Sequence, residues 1–403
     1  MTARIVGAEL YELDLPFRHP FRHAAAERLR SESVFVRCTT NTGHSGFGET
    51  LPRRYVTGED QRTTFDLLAG RILPRLLETS FGSFEEVRAF LAHCDGKAPS
   101  EWLPRDTPQA AAWCAVDLAL LDTFGRAFDT DLSGGLPDAA HPPAGAWPET
   151  LRYSLVLSGE GGRHALETLL KARLYGLRDV KVKVDHQSIA GVRLARRVLG
   201  RRAHVRVDCN MAWTREEARV AMIGMSREGV ESFEQPLEAA DVDGLARLAA
   251  DTGLAIMADE SFHDAASLET LINARACASF NVRIAKCGGL VASLARCRRV
   301  LDAGLGLQIG CQVGETSQLS AAQMILVRTL GQRVEGIEGC YGERLLRTDP
   351  VRPLLEFRRR GAPPPAPRGP GFGTAVDLAI IQRHSGRRLA VGAALPSASK
   401  ETS

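Results

Sequence analysis

The chain has 403 residues, 44% of them hydrophobic and 25% charged, enough apolar content for two or three domains with substantial cores. Its 51 Lys and Arg against 48 Asp and Glu leave a net charge of only +3, which argues against nucleic acid or a membrane surface as partner. Nine cysteines, an odd number without CxxC spacing, read as reduced thiols and exclude a disulfide framework or a zinc cluster.

The first residues, MTARIVGAELYELDLPF, lack the continuous apolar core of a signal peptide, and no later run is long and charge-free enough to span a membrane. A cytoplasmic protein is expected. Alternation in IVGAELYELDL, SVFVRCTT and HSGFGE predicts antiparallel strands, with NTGH as the turn before the last. Helical periodicity follows and ends in TPQAAAWCAVDLALLDTFGRA, where Thr107 is the candidate cap and Pro108 fits the first turn. Residues 1–132 thus read as an α+β domain, and 133–150, rich in Gly, Pro and Ala, as a linker.

From 151 to 350 the texture changes. Short β-rich runs (YSLVLS, DVKVKV, HVRVDCN, ESFEQP, LAIMADES, FNVRIAKCGG, GLQIGCQV) alternate with amphipathic stretches such as GGRHALETLLKARLYG and TREEARVAMIGMSREG. Repeated βα units imply a parallel sheet with buried strands. One charged residue near each strand end recurs at an even interval: 25 residues from 183 to 208, 26 to 234, 25 to 259 and 27 to 286. Seven or eight such units fit a closed barrel of the TIM type. An open doubly wound sheet gives similar local patterns, but no GxGxxG or P-loop string follows the first strand. In the segment 351–390, GAPPPAPRGPGFG breaks regular structure and TAVDLAIIQRH is expected to return to the first domain; 391–403 reads as a flexible tail.

In a parallel barrel the reactive groups come from the C-terminal strand ends, and neighbours in sequence are neighbours in space. Counting YSLVLS as strand one, Lys181 and Lys183 fall on strand two, Asp208 on three, Glu234 on four, Asp259 on five and Lys286 on six. Three converging carboxylates repel one another unless a cation neutralises them, and hard oxygen ligands favour Mg²⁺, with Mn²⁺ as a substitute. Asn210 and Glu260, beside two of these acids, are the candidates to support the ion or its water. Taken singly, each acid reads as readily as a helix cap or surface charge, and each lysine as a solvated one. Together, an ion flanked by two amines on opposite sides suits removal of a proton beside a carboxylate, with Lys183 and Lys286 as acid and base.

KVKV, VDCNMAW, FEQP, ADES and AKCGG, in this order, resemble the enolase superfamily, specifically its muconate-lactonizing subgroup. GFGETLPRRYVTGED is similar to that family's capping domain and GPGFG to its C-terminal segment, so the likeness spans nearly the whole chain. The resemblance implies a modified TIM barrel, (β/α)7β, with an N-terminal α+β capping domain. It implies Lys183 and Lys286 as acid/base groups, Lys181 as the lysine that lowers the pKa of Lys183 and meets the substrate carboxylate, and Asp208, Glu234 and Asp259 as Mg²⁺ ligands. Sites of this superfamily are a known instance of a Lys base working beside Mg²⁺.

The family's specificity loops correspond here to about residues 18–30 and 50–60. Arg22, His23 and Arg28 in the first, and Arg54 and Tyr55 in the second, are offered to the substrate; an ordinary solvated basic loop is an equal reading. GCQVGETS departs from the family's Gly-Cys-Met-x-Glu string, with Gln312 in place of Met and Glu315 one residue later. Both are candidate substrate contacts. VEGIEGCYGERLL lacks the Asp-x-Asp of dipeptide epimerases, which counts against a dipeptide. The expectation is a small carboxylate substrate and racemisation or epimerisation of an amino acid derivative. Cycloisomerisation or dehydration of the muconate-lactonizing or o-succinylbenzoate synthase kind, and a non-catalytic metal-binding barrel, stay open, as does a homo-oligomer.

Overall fold

The amino-terminal apolar runs become strands because their alternating residues have one face to bury. In the computed structural model, which describes residues 2–23, 26–137, 150–158, 161–184 and 189–392, these are β1 (Ala3–Leu13), β2 (Pro16–His23), β3 (Ala26–Arg30), β4 (Ser33–Thr40) and β5 (Ser45–Thr50). β1 pairs antiparallel with β4 and β4 with β5, and residues 41–44 make the turn before β5. β2 and β3 form a separate hairpin where a loop is expected over 18–30. Pro20 lies inside β2, whose register against β3 shifts between Pro16 and Phe21, which suits a hairpin standing off the main sheet.

Short helices α1 (Arg54–Thr57), α2 (Gln61–Leu67) and α3 (Leu73–Leu76) follow, then the two-residue strand β6 (Ser80–Phe81) and the longer helices α4 (Phe84–Cys94) and α5 (Ala110–Ala127). α5 is apolar nearly all round and lies buried against β5. Gly48 permits that approach: a Cβ there would stand 1.9 Å from the Ala115 carbonyl oxygen. α5 begins at Ala110 and is not capped by Thr107, whose hydroxyl donates to the Pro104 carbonyl. Its cap comes from afar: the Glu59 carboxylate accepts from the backbone N–H groups of Ala111 (2.7 Å) and Ala112 (2.9 Å).

Eight parallel strands then alternate with seven helices. They are β7 (Leu155–Ser158), β8 (Asp179–Lys183), β9 (His204–Asp208), β10 (Ser232–Glu234), β11 (Ile256–Ala258), β12 (Ser279–Val282), β13 (Gly306–Ile309) and β14 (Gly336–Ile337). Between them run α6 (Arg163–Tyr175), α7 (Ala190–Leu199), α8 (Arg215–Arg227), α9 (Val242–Thr252), α10 (Ala265–Asn273), α11 (Leu290–Asp302) and α12 (Ser317–Leu330). Strand order is sequential, and a parallel bridge from Tyr153 to Ile337 closes the sheet into a barrel. The architecture is the (β/α)7β barrel with an antiparallel N-terminal sheet domain.

The barrel's alternation is inverted in chemistry relative to an apolar-filled one. Val180, Val182, Val205, Val207, Phe233, Phe280, Leu307 and Ile309 are buried in the hydrophobic core, while the intervening Lys181, Asp208, Glu234 and Asn281 bond to one another in the interior and Arg206 bonds to Ser154 and Glu338. The lysines of KVKV therefore face inward.

After the barrel come β15 (Val351–Arg352), β16 (Ala375–Val376), α13 (Leu378–His384) and β17 (Ser385–Gly392). Ile381 of α13 packs with Tyr11, Leu13 and Phe35 of the first sheet, and β17 pairs antiparallel with β1 along Gly7–Leu13. Val391 and Gly392, expected in the tail, are thus part of a strand. Residues 138–149 of the expected linker and 393–403 of the expected tail lie outside the described residues. Among the described residues no helix is long and apolar enough to cross a membrane.

Candidate active site

The strand ends that carry the evenly spaced charges meet beneath a cavity of about 300 Å³ at the C-terminal mouth of the barrel. Lys181, Lys183, Asp208, Asn210, Glu260, Gln312 and Glu315 line it, with Tyr55 and Phe21 reaching in from the N-terminal domain. Leu155, Val156, Met211, Val313, Tyr341 and Leu345 supply an apolar wall. The side chains of Arg22 and His23 lie outside what is described. Arg28 turns to Glu32 at 2.6 Å and Arg54 to Asp60, so neither serves the cavity as the sequence suggested.

Parallel register sets the charges side by side: Lys183 pairs with Asp208, and Asp208 with Glu234. Lys181 stands 3.0 Å from Asp208, 2.9 Å from Glu234 and 3.3 Å from Glu338. Burial works against its charge, but the three carboxylates outweigh it and hold Lys181 above its ordinary pKa. Burial likewise works against Asp208, and Lys181 and Lys183 overcome it and hold that carboxyl below the usual range. Lys183 also donates to Asn210 Oδ1 at 3.1 Å, and Asn210 donates to Glu260. Burial, then the charges of Asp208 and Glu234, push Glu260 up to about 7, and burial pushes Glu315 up to about 8. Glu315 accepts from the Gln312 backbone N–H at 2.6 Å, which keeps it at the cavity despite the extra residue before it.

Lys286, Asp259 and Glu234 lie under the cavity floor, not on its surface. The Lys286 ammonium donates to Asp259 Oδ1 (2.7 Å), the Asp259 carbonyl (2.7 Å) and the Asn281 carbonyl (3.0 Å), and sits 4.8 Å from the Phe262 ring centroid. Burial, followed by the Arg283 guanidinium, pushes its pKa down to about 7. Lys183 therefore opens to the cavity and Lys286 is sealed, where the sequence expectation had both facing a bound molecule. The Gly-Gly after Lys286 is there for close packing: a Cβ on Gly288 would lie 2.0 Å from the Gly96 carbonyl oxygen.

Asp208, Glu234 and Asp259 sit on adjacent strands, bridged by Lys181 and Arg283, and among the described residues no three His, Cys, Asp or Glu side chains are gathered to hold a metal ion as they stand. Their chemistry nonetheless fits one. Each is buried, and the carboxylate oxygens Oδ2, Oε2 and Oδ2 respectively are held by cationic side chains: Lys181 and Lys183 at Asp208, Lys181 at Glu234 and Arg283 at Asp259. Three hard oxygen donors that already draw cationic groups suit Mg²⁺.

Residues 165–380 match the family model described as enolase C-terminal domain-like. The chain belongs to this family. It is 24% identical over 329 residues to the L-Ala-D/L-Glu epimerase of Clostridium acetobutylicum, covering 80% of this chain and 87% of that one. The solved structure of the N-succinyl Arg/Lys racemase from Bacillus cereus aligns with a TM-score of 0.82 at 22% identity, covering 96% of this chain and 100% of that chain. A dipeptide epimerase from Cytophaga hutchinsonii, complexed with Mg and the dipeptide D-Ala-L-Val, aligns at 0.81 and 20%, with 96% and 100% covered. These structures share the fold of this enolase-family chain.

Two groups at the site escaped the sequence reading. Arg283, three residues before Lys286, lines the cavity, contacts Asp259 and lies 3.9 Å from Glu234. Glu338 follows β14 and is shared by Lys181 and Arg206. Its signal was present: 338 lies 26 residues after 312, the same interval that marks the other strand ends.

Proposed function

We propose that the protein is a Mg²⁺-dependent isomerase that removes the proton from the α-carbon of a small carboxylate and returns it, acting as a racemase or epimerase of an amino acid derivative. The observation that carries this reading is a pair of amines, Lys183 at the end of β8 and Lys286 after β12, four strands apart in a ring of eight. Amines so separated serve opposite faces of one carbon, which is what inversion requires. The relatives that are epimerases and racemases support the same reading.

Asp208, Glu234 and Asp259 would hold the ion, which when bound supplies positive charge to the substrate carboxylate as the α-carbon loses its proton. Lys183, open to the cavity and oriented by Asn210, removes or returns the proton on one face, and Lys286, sealed beneath the floor against Asp259, serves the other only once it is released from that carboxylate. Lys181, charged and fixed among three carboxylates, is not a base; it presents an ammonium to the substrate carboxylate. Glu315, held neutral by burial, can donate a hydrogen bond without repelling that anion. Phe21, Val313 and Leu345 favour an apolar group on the substrate.

The test is incubation with Mg²⁺ and a panel of N-acylamino acids, dipeptides and muconates in D₂O. Deuterium entering the α-carbon with inversion is the expected result. Conversion of a muconate to lactone, or of substrate to alkene, without such exchange would move the assignment to a cycloisomerase or dehydratase, and no reaction with any compound would leave a binding protein.

A further inference from the structure

The barrel has a second mouth. At the N-terminal ends of its strands lies a cavity of about 1150 Å³, bounded by Ser154, Asp179, His204, Ser232 and Gly336 and by the turns that precede these strands. Seven arginines line it against three carboxylates, Asp179, Glu231 and Glu335. That surplus of four positive charges exceeds the +3 of the entire chain, so the rest of the protein is close to neutral.

The arginines divide into two groups. Arg206 forms part of the floor and donates to Ser154 Oγ at 2.8 Å and Glu338 at 2.6 Å, and Arg173 donates to the Val198 carbonyl at 2.8 Å. Arg152 is likewise engaged, through the Leu151 carbonyl. Arg178, Arg197, Arg359 and Arg360 make no side-chain hydrogen bond or ion pair among the described residues. They come from three separate parts of the chain: the turn before β8, the end of α7, and the short turn Arg359–Gly361. Arg360 holds φ of 61°, a conformation arginine seldom adopts, and its side chain crosses Gly176 at the end of α6, two residues from Arg178. All four are exposed at the rim of this cavity, where solvent screens their mutual repulsion, and among the described residues no carboxylate is paired with them.

We propose that this mouth is a binding site for a small multivalent oxyanion, of the phosphate or dicarboxylate class, held by Arg178, Arg197, Arg359 and Arg360. Guanidinium forks match the geometry of phosphate and carboxylate oxygens, and a cavity with a surplus of positive charge concentrates such ions. The charge is gathered in a hollow and the rest of the chain is nearly neutral, which favours a small anion over a nucleic-acid strand. The site lies at the opposite end of the barrel from Lys183, so it is distinct from the substrate cavity.

The experiment is isothermal titration of the full-length, Mg²⁺-loaded protein with inorganic phosphate and, separately, succinate, at constant ionic strength. Arg178→Ala/Arg360→Ala is the comparison, with circular dichroism as the check on folding. The expected result is saturable binding of at least one anion, weakened tenfold or more in the double variant; which anion binds identifies the class. Arg197→Gln, a milder change, should weaken binding several-fold and serves if the double variant fails to fold. No saturable heat with either anion, or binding that the variants leave unchanged, overturns the proposal.

Discussion

Lys181 and Lys183 reach the same oxygen, Oδ2 of Asp208, at 3.0 and 3.1 Å, yet 18% of the Lys183 side chain is exposed and only 4% of Lys181. A shared strand gives them one face, and two residues of depth give them different work. Replacing Lys181 with Met leaves Asp208, Glu234 and Glu338 facing one another in a buried layer, which should cost about 3–5 kcal/mol of stability. Lys183→Met removes a partly solvated amine and should cost about 1 kcal/mol or less. It should nonetheless slow α-proton exchange by about 10²–10⁴-fold. Urea titration and deuterium incorporation separate the two; equal loss of stability in both variants would show that depth does not divide their roles.

The three buried carboxylates Asp208, Glu234 and Asp259 make metal uptake measurable without any substrate. Adding Mg²⁺ should raise the melting temperature, since an ion at 100 times its dissociation constant stabilises by about 2.7 kcal/mol. Glu234→Gln should abolish most of that rise; because it also breaks the buried pair with Lys181 and lowers the metal-free melting temperature, the Mg²⁺ response is read within each variant. A full Mg²⁺ response in this variant would remove Glu234 from the ligand set.

The two domains are joined by buried carboxylates that titrate near neutrality. Glu49 of β5 accepts from the Thr316 hydroxyl at 2.7 Å and from the backbone N–H groups of Thr316 and Leu319, at the start of α12. Burial pushes it up to about 8, against the Thr316 bonds that favour its charge; burial also pushes Asp117, which accepts from the Leu290 backbone N–H at 2.7 Å, up to about 7. A carboxyl raised in the folded state binds its proton there while the unfolded chain has lost it. Its contribution is fully present below the ordinary value of 4.5 and is lost as pH rises through about 8. Glu49→Gln should therefore flatten the fall in unfolding free energy between pH 5.5 and 8.5, at fixed Mg²⁺, relative to the wild type. An unchanged slope would mean that Glu49 is ionised throughout.

Such contacts mark where sequence reasoning stops. The interval between Lys183, Asp208, Glu234, Asp259 and Lys286 was legible because each βα unit repeats, and closure of the barrel places strand ends by order alone. Glu338 was missed because β14 is only two residues long and offers no apolar run to recognise. Arg283 was hidden inside a strand motif already assigned to Lys286. The β2–β3 hairpin carries two prolines among its charged residues, and of its described side chains only Phe17 is buried, so no alternation patterns it; β17, largely exposed on the sheet edge, is little better. The Glu59 cap of α5 links residues 52 and 53 apart, a distance at which local signals carry nothing.

The strictest demand of the fold falls on Gly48, where β5 lies against α5. An added Cβ would stand 1.9 Å from the Ala115 carbonyl oxygen and 2.5 Å from the Ala119 nitrogen, both helix backbone atoms that cannot swing aside. Gly48→Ala must push α5 off the sheet, and overpacking of this severity should cost about 3 kcal/mol or more. Gly70 lies in the helical turn between α2 and α3 with nothing within 4 Å of where its Cβ would be. There the same substitution removes unfolded-chain freedom and should stabilise by up to about 1 kcal/mol. Since both exchanges add one methyl group, the difference between them isolates packing from composition. Thermal melts of the two variants test it, and a Gly48→Ala protein that melts with the wild type would mean that α5 does not rest on β5 as closely as this packing requires.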